Sequence, residues 1–132
     1  MTMIIPAQTL KTGLVADAIG SGALALLHLA ATGAVAAKLG ASTALIAGSG
    51  LFMLAYAATL AWLATRHVMP RWAVQVIVWG NSAWVLACVL LAALLPGLNH
   101  WAIAHLALMA IAVSGFVVLQ ARGLAQSGFA TA

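Results

Sequence analysis

The one acidic residue of this chain, Asp17, stands inside a long apolar run. An ionisable group at membrane depth is costly and marks a candidate proton or cation site. On a helix advancing about 100° per residue, Asp17, Ser21, Leu24 and His28 share one face. That face is expected to look into a helix bundle or a subunit interface, since lipid would leave both ionisable groups unpaired. A structural role competes with the chemical one. Asp17 is expected about one turn into its helix, near the cytoplasmic boundary, where the helix dipole favours an anion and Arg122 or Lys11 could neutralise it.

Two histidines form a second candidate site. Counting 1.5 Å per residue, His28 lies roughly 21 Å and His105 roughly 24 Å from the cytoplasmic boundary, so the two could meet. Facing imidazoles could serve as haem or metal ligands or as a proton relay. The simpler alternative is a hydrogen bond from each ring to a carbonyl or hydroxyl. Only Lys38 is at hand in that half to pair with haem propionates, so no cofactor is expected, with haem b as the alternative. His67 and His100 fall in loops at interfacial height.

The third apolar segment is the most polar, with Gln75, Asn81 and Ser82 beside Trp79 and Trp84. Asn81 and Tyr56 of the second segment share a depth of roughly 14 Å, which suits either a bridge fixing helix register or a substrate-contacting pair. Gln75 and Gln120 are expected nearer the level of Asp17, in a polar layer ringed by Arg66, Arg71 and Arg122. The ion- or substrate-binding candidates are therefore Asp17, Ser21, Gln75, Asn81, Tyr56 and Gln120. No carboxylate pair, no nucleophile with a base, no phosphate loop and no cluster of metal ligands is visible, so an enzyme is not expected.

The elements that position these residues follow from composition. The 132 residues are 66% hydrophobic and 5% charged, against about a quarter charged in soluble domains, so the lipid bilayer is the expected solvent. Residues 13–37, 42–65, 72–95 and 101–121 are each long enough to cross a hydrocarbon core of about 30 Å. No barrel-like alternation occurs, and the expected fold is an all-α integral membrane four-helix bundle, up-down-up-down, in one domain. The first apolar stretch is too long for a cleaved signal. Gly40 is expected to stop one helix, Ser42 or Thr43 to cap the next, Pro70 to sit in a first turn, and Asn99 to cap the last helix after Pro96-Gly97. Both ends of the chain are expected to fray.

Lys11, Arg66, Arg71 and Arg122 fall on one side and Lys38 on the other, which places both termini in the cytoplasm. Trp62, Trp72 and Trp101 sit near segment ends, as interfacial indoles do. The net charge of +4 rests on scattered single residues, so nucleic acid is not an expected partner. Cys88 is the only cysteine and excludes a disulfide within the chain. Ala16 with Gly20, Ala18 with Gly22 and Gly33 with Ala37 allow close helix approach, within the bundle or between protomers.

Leu14-Val15-Ala16-Asp17-Ala18-Ile19-Gly20-Ser21-Gly22, Asn81-Ser82-Ala83-Trp84-Val85-Leu86 and Leu119-Gln120-Ala121-Arg122-Gly123-Leu124 resemble a family of small bacterial four-helix membrane proteins without an assigned function. The resemblance implies a bacterial inner-membrane location and supplies no site residues. An acid in the first helix of a short four-helix protein is also similar in design to the small multidrug resistance transporters, whose membrane acid is a glutamate. Three functions are compatible with the sequence: an accessory or assembly subunit of a membrane complex, a homo-oligomeric proton-coupled transporter or ion pathway using Asp17, and a haem- or quinone-linked subunit using His28 and His105.

Overall fold

The computed structural model describes residues 1–130. Five helices make up nearly all of it: α1 (Gln8–Ala30), α2 (Thr32–Leu39), α3 (Thr43–Ala64), α4 (Arg71–Leu94) and α5 (His100–Gln126). α1, α3, α4 and α5 are long and apolar enough to cross a membrane. At most 28% of any of their apolar stretches is buried inside the protein, so most of the apolar surface faces outward.

α3 and α4 lie within a residue of their expected limits, whereas the outer two segments differ. The first segment starts at Gln8 and not at 13, because Pro6 holds the chain extended just before it. It is also interrupted at Ala31 (φ −124°, ψ 33°), where poorer helix formers, Thr32 and Gly33, follow. The Thr32 hydroxyl donates to the carbonyls of His28 (2.6 Å) and Leu29 (3.2 Å), which compensates groups disturbed by the break. The last segment continues past 121 to Gln126, since Gly123 serves a helix contact there and does not end the helix.

The inner breaks carry the expected chemistry. Gly40 takes the left-handed conformation (φ 66°) that ends α2. Ser42 caps α3 by accepting from the Leu45 N–H at 3.2 Å, and Asn99 caps α5 by accepting from Ala102 at 2.8 Å. The Asn99 amide also donates to the Lys38 carbonyl (3.0 Å), tying the end of α2 to the start of α5. Lys38 Nζ lies 3.9 Å over the Trp101 ring beside that tie.

At the opposite end the chain is ordered at Met3–Ile5 and Gly128–Phe129, where fraying is expected from sequence, while residues 131–132 lie outside the described residues. Strand β1 (Met3–Ile5) pairs antiparallel with β2 (Met69–Pro70) on one edge and β3 (Gly128–Phe129) on the other. Ile4 stands opposite both Met69 and Phe129. The ordering has a hydrophobic cause: Ile4 and Met69 are fully buried against Leu10, Leu14, Leu60, Leu63, Val74 and Ile77. Pro70 is the N-cap of α4 and lies in β2, one residue before the expected first turn.

α1 is the central helix, packed closely on α3 and α5, while α4 packs on α5. Glycines set these approaches. A Cβ on Gly13 would lie 3.0 Å from Leu119 Cβ, and one on Gly50 would lie 2.9 Å from Leu29 Cγ. A Cβ on Gly123 would fall on the backbone nitrogen and Cα of Leu10, so α1 and α5 cross there backbone to backbone. Of the small-residue positions, Gly20 faces Phe116 and Gly22 faces Ala57, whereas Gly33 faces open space. Gly115, on the same helix as Gly123, also faces open space. Gly123→Ala is therefore expected to lower the thermal unfolding midpoint of the purified protein, while Gly115→Ala leaves it unchanged or raises it through better helix propensity, about 1 kcal/mol at most.

Candidate functional site

The Asp17 carboxylate is 1% exposed and sits where the four long helices meet. Its Oδ2 accepts from Asn81 Nδ2 on α4 (2.7 Å), Gln120 Nε2 on α5 (2.8 Å) and the Tyr56 hydroxyl on α3 (3.1 Å). Its Oδ1 accepts from Ser21 Oγ, one turn along α1, at 3.0 Å. Each long helix thus supplies at least one member of a single polar cluster. Among the described residues every partner of the carboxylate is uncharged.

Asn81 is the hub on the donor side. Its amide also donates to Gln120 Oε1 (3.1 Å), and its Oδ1 accepts from the Tyr56 hydroxyl (2.9 Å). Tyr56 has one proton for two acceptors, Asp17 Oδ2 and Asn81 Oδ1, so its hydroxyl is shared between them. The ring is held by stacking on Phe52, with centroids 6.4 Å apart and planes 2° from parallel. The Asn81 to Tyr56 bridge read from depth alone is therefore present, and it belongs to the same cluster as Asp17.

Gln75 does not join. It is exposed on the outer face of α4, and its expected place beside Asp17 is taken by Asn81, which lies deeper on that helix. The basic residues stay at the periphery: Arg66 lies 4.2 Å over the Trp62 ring and Arg71 5.6 Å over Phe129, while Arg122 is exposed. Neutralisation of Asp17 by Arg122 or Lys11 is not part of the observed hydrogen bonding. Asp17 is also deeper in its helix than one turn. From Gln8 it lies roughly 13 Å along the axis, level with Asn81 and Tyr56.

His28 and His105 do meet, with ring centroids 5.7 Å apart at an interplanar angle of 33°. His28 Nδ1 is 2.8 Å from Ser49 Oγ on α3, a partner the sequence reading missed. Gly50 makes that approach possible, since a side chain there would press on His28 and Leu29. The Ser49 hydroxyl also reaches the Ile46 carbonyl (2.9 Å), so its one proton serves either that carbonyl or His28 Nδ1, and the imidazole tautomer follows from which it takes. His28 Nε2 is buried and has no hydrogen-bond partner. No group of three or more His, Cys, Asp or Glu that could hold a metal occurs among the described residues. His67 and His100 are exposed, and His100 packs on Trp101 at 5.1 Å between centroids.

Compared with models of known protein families, with curated proteins and with solved structures, the chain matches none.

The cluster can fix the register of all four long helices, because each polar group finds its partners only in this one arrangement. Asn81→Leu leaves Asp17, Tyr56 and Gln120 short of partners and is expected to destabilise the protein by about 2 kcal/mol. Gln75→Leu, four residues from the start of the same helix and outside the cluster, is expected to change stability by less than about 0.5 kcal/mol. Denaturant titration of both variants in one detergent checks the contrast.

Proposed function

We propose that this protein is a small non-enzymatic accessory or assembly subunit of a bacterial inner-membrane complex, built as an up-down-up-down bundle with both termini in the cytoplasm. The observation that carries the proposal is the closure of the Asp17 cluster. The group best suited to handle an ion or proton is enclosed, and its lone pairs are taken up by side chains of its own chain. Chemistry-bearing residues used in this way hold a shape, and a shape held so firmly serves to present a surface.

The surface with the best claim is the outer face of α4. Trp72, Val76, Trp79, Leu86 and Leu90 recur there at helical spacing, all outward, and Gln75 lies beside them. Trp79 is 75% exposed and roughly 12 Å along α4 from Arg71, well below the headgroup level where indoles are favoured. A partner helix would offer its N–H an acceptor that lipid tails lack. A second copy of the chain is one form that partner can take.

Orientation rests on the bias of Lys11, Arg66, Arg71 and Arg122 toward one side. The sheet supports it by gathering both termini and the α3–α4 connection at one end. A second reading, an ion pathway through Asp17, is favoured by one observation: the carboxylate has no cationic partner among its hydrogen bonds.

A photo-crosslinking amino acid in place of Trp79 is expected to capture a membrane protein in intact cells, while one in place of Ile111, equally outward on α5, captures little. Equal yields from both sites, or lipid adducts alone, would count against docking through α4. Proton-coupled flux by the purified protein, abolished in Asp17→Asn, would overturn the accessory role in favour of the second reading. For orientation, a C-terminal green fluorescent protein fusion is expected to fluoresce and a C-terminal alkaline phosphatase fusion to be inactive. The reverse pattern would invert the topology.

A further inference from the structure

On the outer surface of the bundle, α1 and α3 leave a groove of about 460 Å³ between them. Val15, Ala18 and Ile19 line it from α1, and Leu54, Ala58 and Ala61 from α3, at spacings that keep each set on one face of its helix. From Leu54 to Thr65 the lining runs roughly 16 Å along α3, about half of a hydrocarbon core of about 30 Å. One turn beyond Leu54 the two helices close on each other, with Leu29 against Gly50. The groove therefore has the length of an acyl chain in one leaflet. A transmembrane partner helix would need a seat about twice as long.

The sheet end of the groove is basic. Arg66 directly follows Thr65, the last lining residue on α3, and Lys11 stands one turn before Val15 on the lining face of α1. The Arg66 guanidinium lies 4.2 Å over the Trp62 ring and both side chains are exposed, which holds the charge at the height where indoles meet headgroups. No acidic side chain offsets these charges, since the only one, Asp17, is buried among neutral donors. α1 begins at this end with no acidic residue in its first turn and no side-chain cap, so the positive end of its dipole adds to them. α3 ends here, but its Trp62 and Leu63 carbonyls are already engaged by the Thr65 and Arg66 N–H groups.

Tail space and head charge select the occupant together. A zwitterionic lipid would fill the groove but bring its own cation against Arg66 and Lys11. A soluble anion would answer the cations and leave the apolar lining uncovered. We propose that the groove between α1 and α3 binds an anionic phospholipid, with one acyl chain along Ala58 and Ala61 and its phosphate at Lys11 and Arg66. The site rests on the chain spanning a bilayer and is independent of the Asp17 cluster and of any partner on α4.

The test uses the full chain in phosphatidylcholine nanodiscs containing a trace of phosphatidylglycerol with a photoactivatable diazirine in mid-chain. Peptide mapping is expected to find residues 54–65 labelled about tenfold more by this lipid than by the matched diazirine phosphatidylcholine, while α4 is labelled equally by both. Arg66→Gln and Lys11→Gln are each expected to lower the groove labelling about fivefold, whereas Arg122→Gln, the same loss of charge on α5, leaves it unchanged. Ala58→Phe, at an exposed position in the lining, is expected to abolish groove labelling by both lipids at an unchanged unfolding midpoint. Equal labelling by the two lipids, an Arg122→Gln effect as large as that of Arg66→Gln, or groove labelling that survives Ala58→Phe would each overturn the proposal. So would an Ala58→Cys variant that forms a disulfide with a second copy in the nanodisc, which would make the groove a protein interface. Failure of the chain to enter nanodiscs at all would instead overturn the membrane reading on which the site rests.

Discussion

A single buried carboxylate sets the terms for this structure. Asp17 stands among helices whose surfaces are almost wholly apolar, and no cation shares its hydrogen bonds. Where water is absent, a charge or a carboxylic acid must be satisfied by the protein itself. Four neutral donors meet that demand, and they come from α1, α3, α4 and α5. Because each donor reaches the carboxylate only at one depth and rotation, satisfying Asp17 fixes how the four helices stand relative to one another. The role is most visible between α3 and α4, which lack the close backbone packing seen elsewhere and meet mid-helix through Tyr56 and Asn81. Polar contacts there do what small residues do between α1 and α5.

The rest of the fold closes the two ends around that cluster. At one end, β1 lies between two short strands and places Ile4 in the apolar cluster with Leu10, Leu14 and Leu60, against which Tyr56 also packs. At the other end, Asn99 and Lys38 tie α2 to α5. Gly123 lets α1 and α5 cross at backbone contact, and Gly50 lets α3 reach His28. These close approaches account for glycines that would otherwise weaken a helix. The interruption at Ala31 tilts the balance differently, since it ends α1 just beyond His28 and leaves a groove beside α2.

Much of this was legible in the sequence, and the misses have physical causes. The number of long apolar helices, the caps at Ser42 and Asn99, the stop at Gly40, the Tyr56 to Asn81 bridge and the approach of His28 to His105 follow from hydropathy, cap chemistry and rise per residue, whereas the break at Ala31 that makes a fifth, short helix does not. A helix start at Gly13 makes Asp17 too shallow, since the helix begins at Gln8. Counting from Gln8, just after Pro6, brings it level with Asn81 and unites two candidate sites in one. Depth alone puts Gln75 near Asp17, but depth does not say which way a side chain turns, and Gln75 turns outward. Ser49 left no signal of its own, since a serine in an apolar helix usually bonds back to its own chain, as this one also does to Ile46. The terminal strands were missed because two- and three-residue strands are made by tertiary packing and leave too short a pattern to read.

An acceptor that organises neutral donors differs from a charge that moves, and one comparison separates them. Asp17→Asn keeps an oxygen to accept from Asn81, Gln120 and Tyr56 and turns its new amide N–H toward Ser21, whereas Asp17→Leu removes every acceptor. Reversible unfolding of both variants in nanodiscs should show Asp17→Asn within about 1 kcal/mol of wild type and Asp17→Leu destabilised by about 3 kcal/mol or more. Equal stability of all three proteins would mean that the cluster holds nothing together. Asp17→Asn as unstable as Asp17→Leu would mean that the charge, and not the acceptor, is what the bundle requires.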